Sequence, residues 1–358
     1  MGRIDARPAD RSASRGSLPP IPSCYALFSA HFTHAFRLPP DTRGETVPTD
    51  DSTAHRRLHD ETMFEAIPTA HFSPFRTLGR FSDVPPGEFE PVVTFLRHEG
   101  ETPFSFEAET YYMREMSDST RSRLVRFAHA GRRYQSLGAR VIALEAARRM
   151  TGADFQLLER APDSPRLIPI DEDEKHFPYV LETSLSHTEA GLAAAVSATD
   201  AALFCDIERH KPSMTPPHAK RLLRVVLDEP TIDRFGEWIV DATFEEFLST
   251  FYAVWGTWEC VVKANTRANA VLPDNIPEGS VEAIPVSRRT PLESDRFTLE
   301  LDDEGCFLVD RLTAKRFRSH SVTVPATGNL PAHQVTAVMT GGAEIEAPSL
   351  FEAVLPVK

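Results

Sequence analysis

Two stretches of helical periodicity, each followed by strand-like alternation, restrict what this 358-residue chain can fold into. In the first, Tyr134, Leu137, Val141 and Leu144 recur at the three-four spacing of one buried helical face. A polar, proline-bearing segment, 161–178, reads as a loop. Residues 179–187 (YVLETSLSH) and 192–208 (LAAAVSATDAALFCDIE) then read as strands, with a turn at Thr199-Asp200. In the second, the prolines from Pro212 to Pro217 break the chain, and helices are expected at about 217–228 and 230–265. Antiparallel-type alternation follows in RFTLEL, CFLVDRL, SHSVTVPA and HQVTAVMT. From 63 to 113 the signals are strand-like and interrupted at Val84-Pro85-Pro86-Gly87. The expected fold is α+β: two similar halves, 63–200 and 201–358, each a helix packed on a small, mostly antiparallel sheet. No repeat is visible residue by residue.

Residues 1–62 differ from the rest. Seven prolines and many Ser, Thr, Asp and Arg residues predict a disordered extension. The arginines at 3, 7, 11 and 15 hint at a transit peptide, but Asp5 and Asp10 argue against one, and MGRIDA lacks a myristoylation signal. The aromatic patch Tyr25–Phe36 is a possible short docking element. No stretch approaches ~18 uninterrupted apolar residues, which excludes a helical membrane protein. Four scattered cysteines exclude a disulfide framework or a cysteine zinc site. They point to a reducing, cytoplasmic setting, with a mitochondrial one as the alternative. The net charge of −13 disfavours a nucleic-acid substrate.

Four groups of residues carry chemical potential. In Asp206-Ile207-Glu208, alternate strand residues share a face, so both carboxylates point one way while Cys205 and Ile207 point into the core. Paired carboxylates suit a hard cation such as Mg²⁺ beside substrate phosphates. On the helix WGTWECVVK, Phe251, Trp255, Trp258 and Val262 form a core stripe, and Glu259 and Lys263 flank it four residues apart. There Glu259 can serve as a third metal carboxylate, and Lys263 as a charge-neutralising or proton-accepting neighbour. Ser186 and His187, at a strand end, can donate to a phosphate. Between 114 and 149 lie nine arginines against Glu115, Asp118 and Glu145, a local excess that suits a phosphorylated cofactor or an acidic partner.

In order along the chain, Ser186-His187, Asp206-Ile207-Glu208 and Trp255…Glu259…Lys263 resemble the 4′-phosphopantetheinyl transferase superfamily in its larger, two-lobed, surfactin-type branch. The resemblance covers about 120–270. It implies Mg²⁺-dependent transfer of 4′-phosphopantetheine from coenzyme A to a serine of an apo acyl or peptidyl carrier protein, by a chain expected to be a monomer, with no nucleic-acid or membrane partner. By motif position, Asp206, Glu208 and Glu259 would hold Mg²⁺, and Lys263 or Glu259 would deprotonate the serine. Ser186 and His187 would touch coenzyme A phosphate, with Arg133 first, and Arg132 and Arg140 after it, at the nucleotide end. Phosphoryl transfer of this kind needs positioning and charge neutralisation more than a protein nucleophile.

The sequence departs from the family pattern at four places. Trp258 stands where the family has a lysine, Phe204 replaces a glycine, Ser184 replaces an asparagine, and Ser164-Pro165-Arg166 replaces Gly-Lys-Pro. Two other functions therefore compete: a catalytically weakened homologue that binds coenzyme A or a carrier protein, and a Mg²⁺-dependent phosphoesterase. Trp258 has two readings, an extension of the core stripe or a contact to the pantetheine arm.

Overall fold

The computed structural model describes residues 64–84, 90–99, 106–159, 165–170, 180–198, 201–268, 295–341 and 347–353. The expected extension 1–62 with its aromatic patch, the Pro85-Pro86-Gly87 break and the Thr199-Asp200 turn lie outside them. In chain order the elements are β1 (Ile67–Pro68), β2 (Leu78–Arg80), β3 (Val92–Arg97), α1 (Phe106–Glu115), α2 (Asp118–Leu124), α3 (Ala130–Thr151), β4 (Phe155–Leu158), β5 (Arg166–Pro169), β6 (Leu181–Thr188), β7 (Gly191–Ala198) and β8 (Ala201–Arg209). They continue with α4 (Pro216–Leu223), α5 (Glu229–Trp238), α6 (Phe244–Ala268), β9 (Phe297–Asp302), β10 (Gly305–Asp310), β11 (Arg316–Val324), β12 (His333–Gly341) and β13 (Ser349–Glu352). The content is thus mixed helix and sheet, with six helices and two multistranded sheets among the described residues.

Strand periodicity explains the layering. In β3 and β7, Val92, Leu96, Leu192, Ala194 and Val196 face one way, where Ile142, Ala143, Ala146, Ala147 and Met150 of α3 cover them. The alternate residues Val93, Phe95, Ala193 and Ala195 face the other way. They meet Leu203, Cys205 and Ile207 of β8 and Val335, Ala337 and Met339 of β12. The outer face of this second sheet, through Phe204, Val338, Leu299 and Leu308, receives Phe251, Val254, Trp258 and Val261 of α6. The result is helix, sheet, sheet, helix. Burying a large side chain such as Phe95 in this way contributes about 2–3 kcal/mol, and the alanines let the two sheets approach.

The first sheet has the order β2-β13-β3-β7-β6-β5-β4, and the second β8-β12-β11-β10-β9, with β1 on β11. Pairing is antiparallel except that β13 runs parallel to both β2 and β3. A boundary at 200 therefore does not separate the sheets. β1, from the N-terminal side of it, joins the second sheet, and β13, from the C-terminal end, joins the first.

Three local expectations are corrected. Residues 106–115 form a helix rather than continuing the strand pattern, with Glu107 and Glu109 in its first turn and Arg114 in its last, the arrangement that suits the helix dipole. Residues 166–169, expected as loop, form β5, paired with β4 and β6. The expected helix 230–265 is two helices. The Glu246 backbone N–H donates to Thr243 Oγ1, and Glu246 Oε2 accepts from the Thr243 N–H. This reciprocal capping box starts α6 afresh.

Candidate active site

β8 lies at the edge of its sheet, so alternate backbone groups have no strand partner there. Side chains from the neighbouring elements supply the missing bonds. The Cys205 N–H donates to Ser184 Oγ at 3.3 Å, and the Ile207 N–H to Ser186 Oγ at 3.4 Å. Lys263 Nζ of α6 donates to the Cys205 carbonyl at 2.6 Å. β6 and α6 thus converge on β8 at the Cys205–Ile207 segment.

Asp206 sits at that convergence. It pairs in register with Thr336 of β12, as Glu208 pairs with Gln334. Alternation turns Asp206 and Glu208 toward α6, as the strand pattern predicts. Ser186 donates to Asp206 Oδ1 at 2.7 Å, and Lys263 Nζ donates to the same oxygen at 3.2 Å. The other oxygen, Oδ2, is buried and has no hydrogen-bond partner among the described residues. Gly256 makes this approach of helix to strand feasible. A Cβ there would stand 2.8 Å from Thr336 Oγ1 and 3.5 Å from Asp206 Oδ2.

Burial alone would push the Lys263 ammonium down, but the carboxylate of Asp206, reinforced by Glu259, outweighs it and holds the lysine above its ordinary value. Lys263 is thus held as a cation against Asp206, the charge-neutralising one of the two roles expected from sequence. His187, next to Ser186, faces the opposite way. Burial, then the positive charges of Arg140, Arg132 and Lys263, press its imidazole down to about 4. At neutral pH it is an uncharged ring that can donate one hydrogen bond.

The expected arginines divide. Arg140 is 4% exposed. It grips Glu159 through two bonds of 2.9 and 2.6 Å, and its Nη1 donates to the Ser136 carbonyl and hydroxyl. Four of its five N–H groups are engaged within the fold, so Arg140 holds the fold together here whatever else it does. Arg133 faces Glu109 at 3.4 Å and lies over the Tyr134 ring. The charge of Arg132 acts on His187, after that of Arg140. Trp258 is 3% exposed and belongs to the α6 core, which decides between its two sequence readings.

The expected metal carboxylates are not all brought together. The charge of Glu259 acts on Lys263 beside Asp206. Glu208 lies farther along β8, where its charge acts on Tyr252. Among the described residues no three His, Cys, Asp or Glu side chains converge on one point as a metal requires. The donor chemistry nevertheless suits a hard divalent cation, and Asp206 Oδ2 is a buried oxygen with capacity to spare.

Sequence reasoning missed a second buried carboxylate. Glu182 of β6 meets Arg267 at 3.1 Å and Arg166 at 3.4 Å. Arg267 follows Lys263 by four residues on α6, a spacing that marks the two cations as neighbours on one face. The helix thus carries two cations to two buried carboxylates on different strands. Among the described residues no helix is long and apolar enough to cross a membrane. No known family's sequence profile matches the chain, and no curated protein matches it.

Proposed function

We propose that the chain transfers 4′-phosphopantetheine from coenzyme A to a serine of an apo carrier protein. The observation that carries this reading is the meeting of three distant sequence motifs: Ser186 of β6, Asp206 of β8 and Lys263 of α6 within hydrogen-bond distance, with the charge of Glu259 acting on Lys263. The element order adds support. β3 is followed by three helices and then antiparallel strands, and β8 repeats the sequence of elements, as a two-lobed enzyme would.

By motif position, Asp206, Glu208 and Glu259 would hold Mg²⁺. Bound there, Mg²⁺ supplies charge neutralisation at the pyrophosphate. Lys263 keeps its proton and adds a second positive charge. His187 donates a neutral hydrogen bond, with Arg132 beside it for an outer phosphate. Glu259 takes the proton of the incoming serine. Intact mass spectrometry of an apo acyl carrier protein incubated with this protein, coenzyme A and Mg²⁺ tests the reading. A phosphopantetheine-sized gain that EDTA abolishes is expected, and Glu259→Ala should abolish it while leaving the fold intact.

A catalytically silent binding homologue is the second reading. It is favoured by the buried Trp258 in place of a family lysine and by Lys263 already occupying Asp206 Oδ1. Coenzyme A binding without transfer to several apo carriers would establish it. Hydrolysis of a simple phosphate ester without a carrier would instead favour the phosphoesterase.

A further inference from the structure

The resemblance assigns Ser186 to a coenzyme A phosphate, yet its hydroxyl is committed elsewhere. A serine hydroxyl has one proton to donate. That proton lies toward Asp206 Oδ1 at 2.7 Å, and the oxygen accepts from the Ile207 N–H at 3.4 Å. Both residues are buried, Ser186 at 8% exposure and Asp206 at 4%. Donating to a phosphate would cost Ser186 its bond to a buried carboxylate.

The consequence lies in which oxygen is held. Ser186 and Lys263 both donate to Oδ1, and Oδ2 has no donor among the described residues. Gly256 lets the helix lie close beside this strand pair: a Cβ there would press on Thr336 at 2.8 Å and stand 3.5 Å from Oδ2. We infer that Ser186 is a positioning residue for Asp206: it fixes Oδ1 and so presents Oδ2 to a divalent cation. This inference rests on the metal reading proposed above. Without Ser186, Lys263 is the one remaining donor to Oδ1 among the described residues, and the carboxylate is free to turn so that the ammonium bridges both oxygens. The cation then competes with Lys263 for the same atoms. Partners that orient a metal ligand in this way are worth about 10–100-fold in metal affinity.

The experiment uses Mn²⁺ alone as probe, with binding to the full chain followed by electron paramagnetic resonance, and coenzyme A binding followed by calorimetry in EDTA. Ser186→Ala should weaken Mn²⁺ binding about tenfold or more and leave coenzyme A affinity in EDTA within twofold. Ser186→Thr, which keeps the hydroxyl, should restore Mn²⁺ binding. Ser186→Cys keeps the volume but donates weakly, and should reproduce the alanine result should that variant not fold. Unchanged Mn²⁺ binding in Ser186→Ala with weakened coenzyme A binding would overturn the inference in favour of a direct phosphate contact, leaving the metal reading intact. Absence of Mn²⁺ binding to the wild-type protein would overturn the metal reading and the inference with it.

Discussion

Replacing Lys263 with methionine, alone and together with Asp206→Asn, measures how strongly the site and the fold share one ion pair. Lys263 Nζ donates to Asp206 Oδ1 at 3.2 Å and to the Cys205 carbonyl at 2.6 Å. The lysine side chain is 26% exposed and that of Asp206 6%. Breaking a buried pair from one side costs about 3–5 kcal/mol, because the remaining charge is left without compensation. The partial exposure of Lys263 reduces this, so Lys263→Met should cost about 2–4 kcal/mol, including the loss of a donor at the β8 edge. Asp206→Asn leaves Lys263 a route to solvent and should cost about 1–2 kcal/mol. The double variant has no buried charge to compensate. It should cost less than the sum of the two by about 1–2 kcal/mol. Urea denaturation at pH 7 in EDTA, with slopes compared to confirm an unchanged unfolding transition, gives all three values. Additivity within about 0.5 kcal/mol would refute the claim that the two side chains depend on each other.

Trp258→Lys should destabilise the protein by about 3–5 kcal/mol, the cost of emptying an aromatic core position, and should not raise transfer activity. A stable variant with faster turnover would contradict the core assignment. Arg140→Ala strips Glu159 of its two-bond partner and should cost about 3–5 kcal/mol, whereas Arg133→Ala, at a partly exposed ion pair, should cost about 1 kcal/mol or less. Denaturation midpoints of the two variants check the ranking, and a reversed order would undo it. The imidazoles of His187, His210 and His333 are each held near 4, chiefly by burial, against an unfolded value of 6.5. The unfolded chain therefore binds more protons between those values. Their contribution is complete above pH 6.5 and is lost as pH falls toward 4, by up to about 1.4 kcal/mol per pH unit for each histidine. Equal stability at pH 7 and pH 4.5 would contradict it.

The legible part of this fold is the part written in short periods. The alternation read in 192–208 turned Cys205 and Ile207 to one face and Asp206 to the other, toward α6, and the three-four spacing read in 230–265 placed Phe251 and Trp258 in the core. Both are local geometry. What was not legible depends on chain segments far apart in sequence. Nothing near Ser349 announces that β13 will pair in parallel with β3. The partner of Arg140 is Glu159, nineteen residues away on the far side of a strand. Neighbouring helical residues point about 100° apart, so the arginine excess could be recognised while the partner of each arginine could not. The break before α6 is different, because Thr243 and Glu246 carry a capping signal that the apolar periodicity on either side obscured.

The placement of β8 explains why the candidate site falls where it does. A strand at a sheet edge exposes backbone donors and acceptors, and these must be satisfied or covered. Here Ser184, Ser186 and Lys263 satisfy them, bringing polar side chains from another sheet and from a helix to one segment of backbone. Asp206 belongs to that segment, so the groups that close the edge are the groups that surround the carboxylate. A substitution that disturbs either function must disturb both. Activity alone would therefore misassign Ser186 and Lys263, and separating their roles requires metal binding and stability to be measured beside turnover.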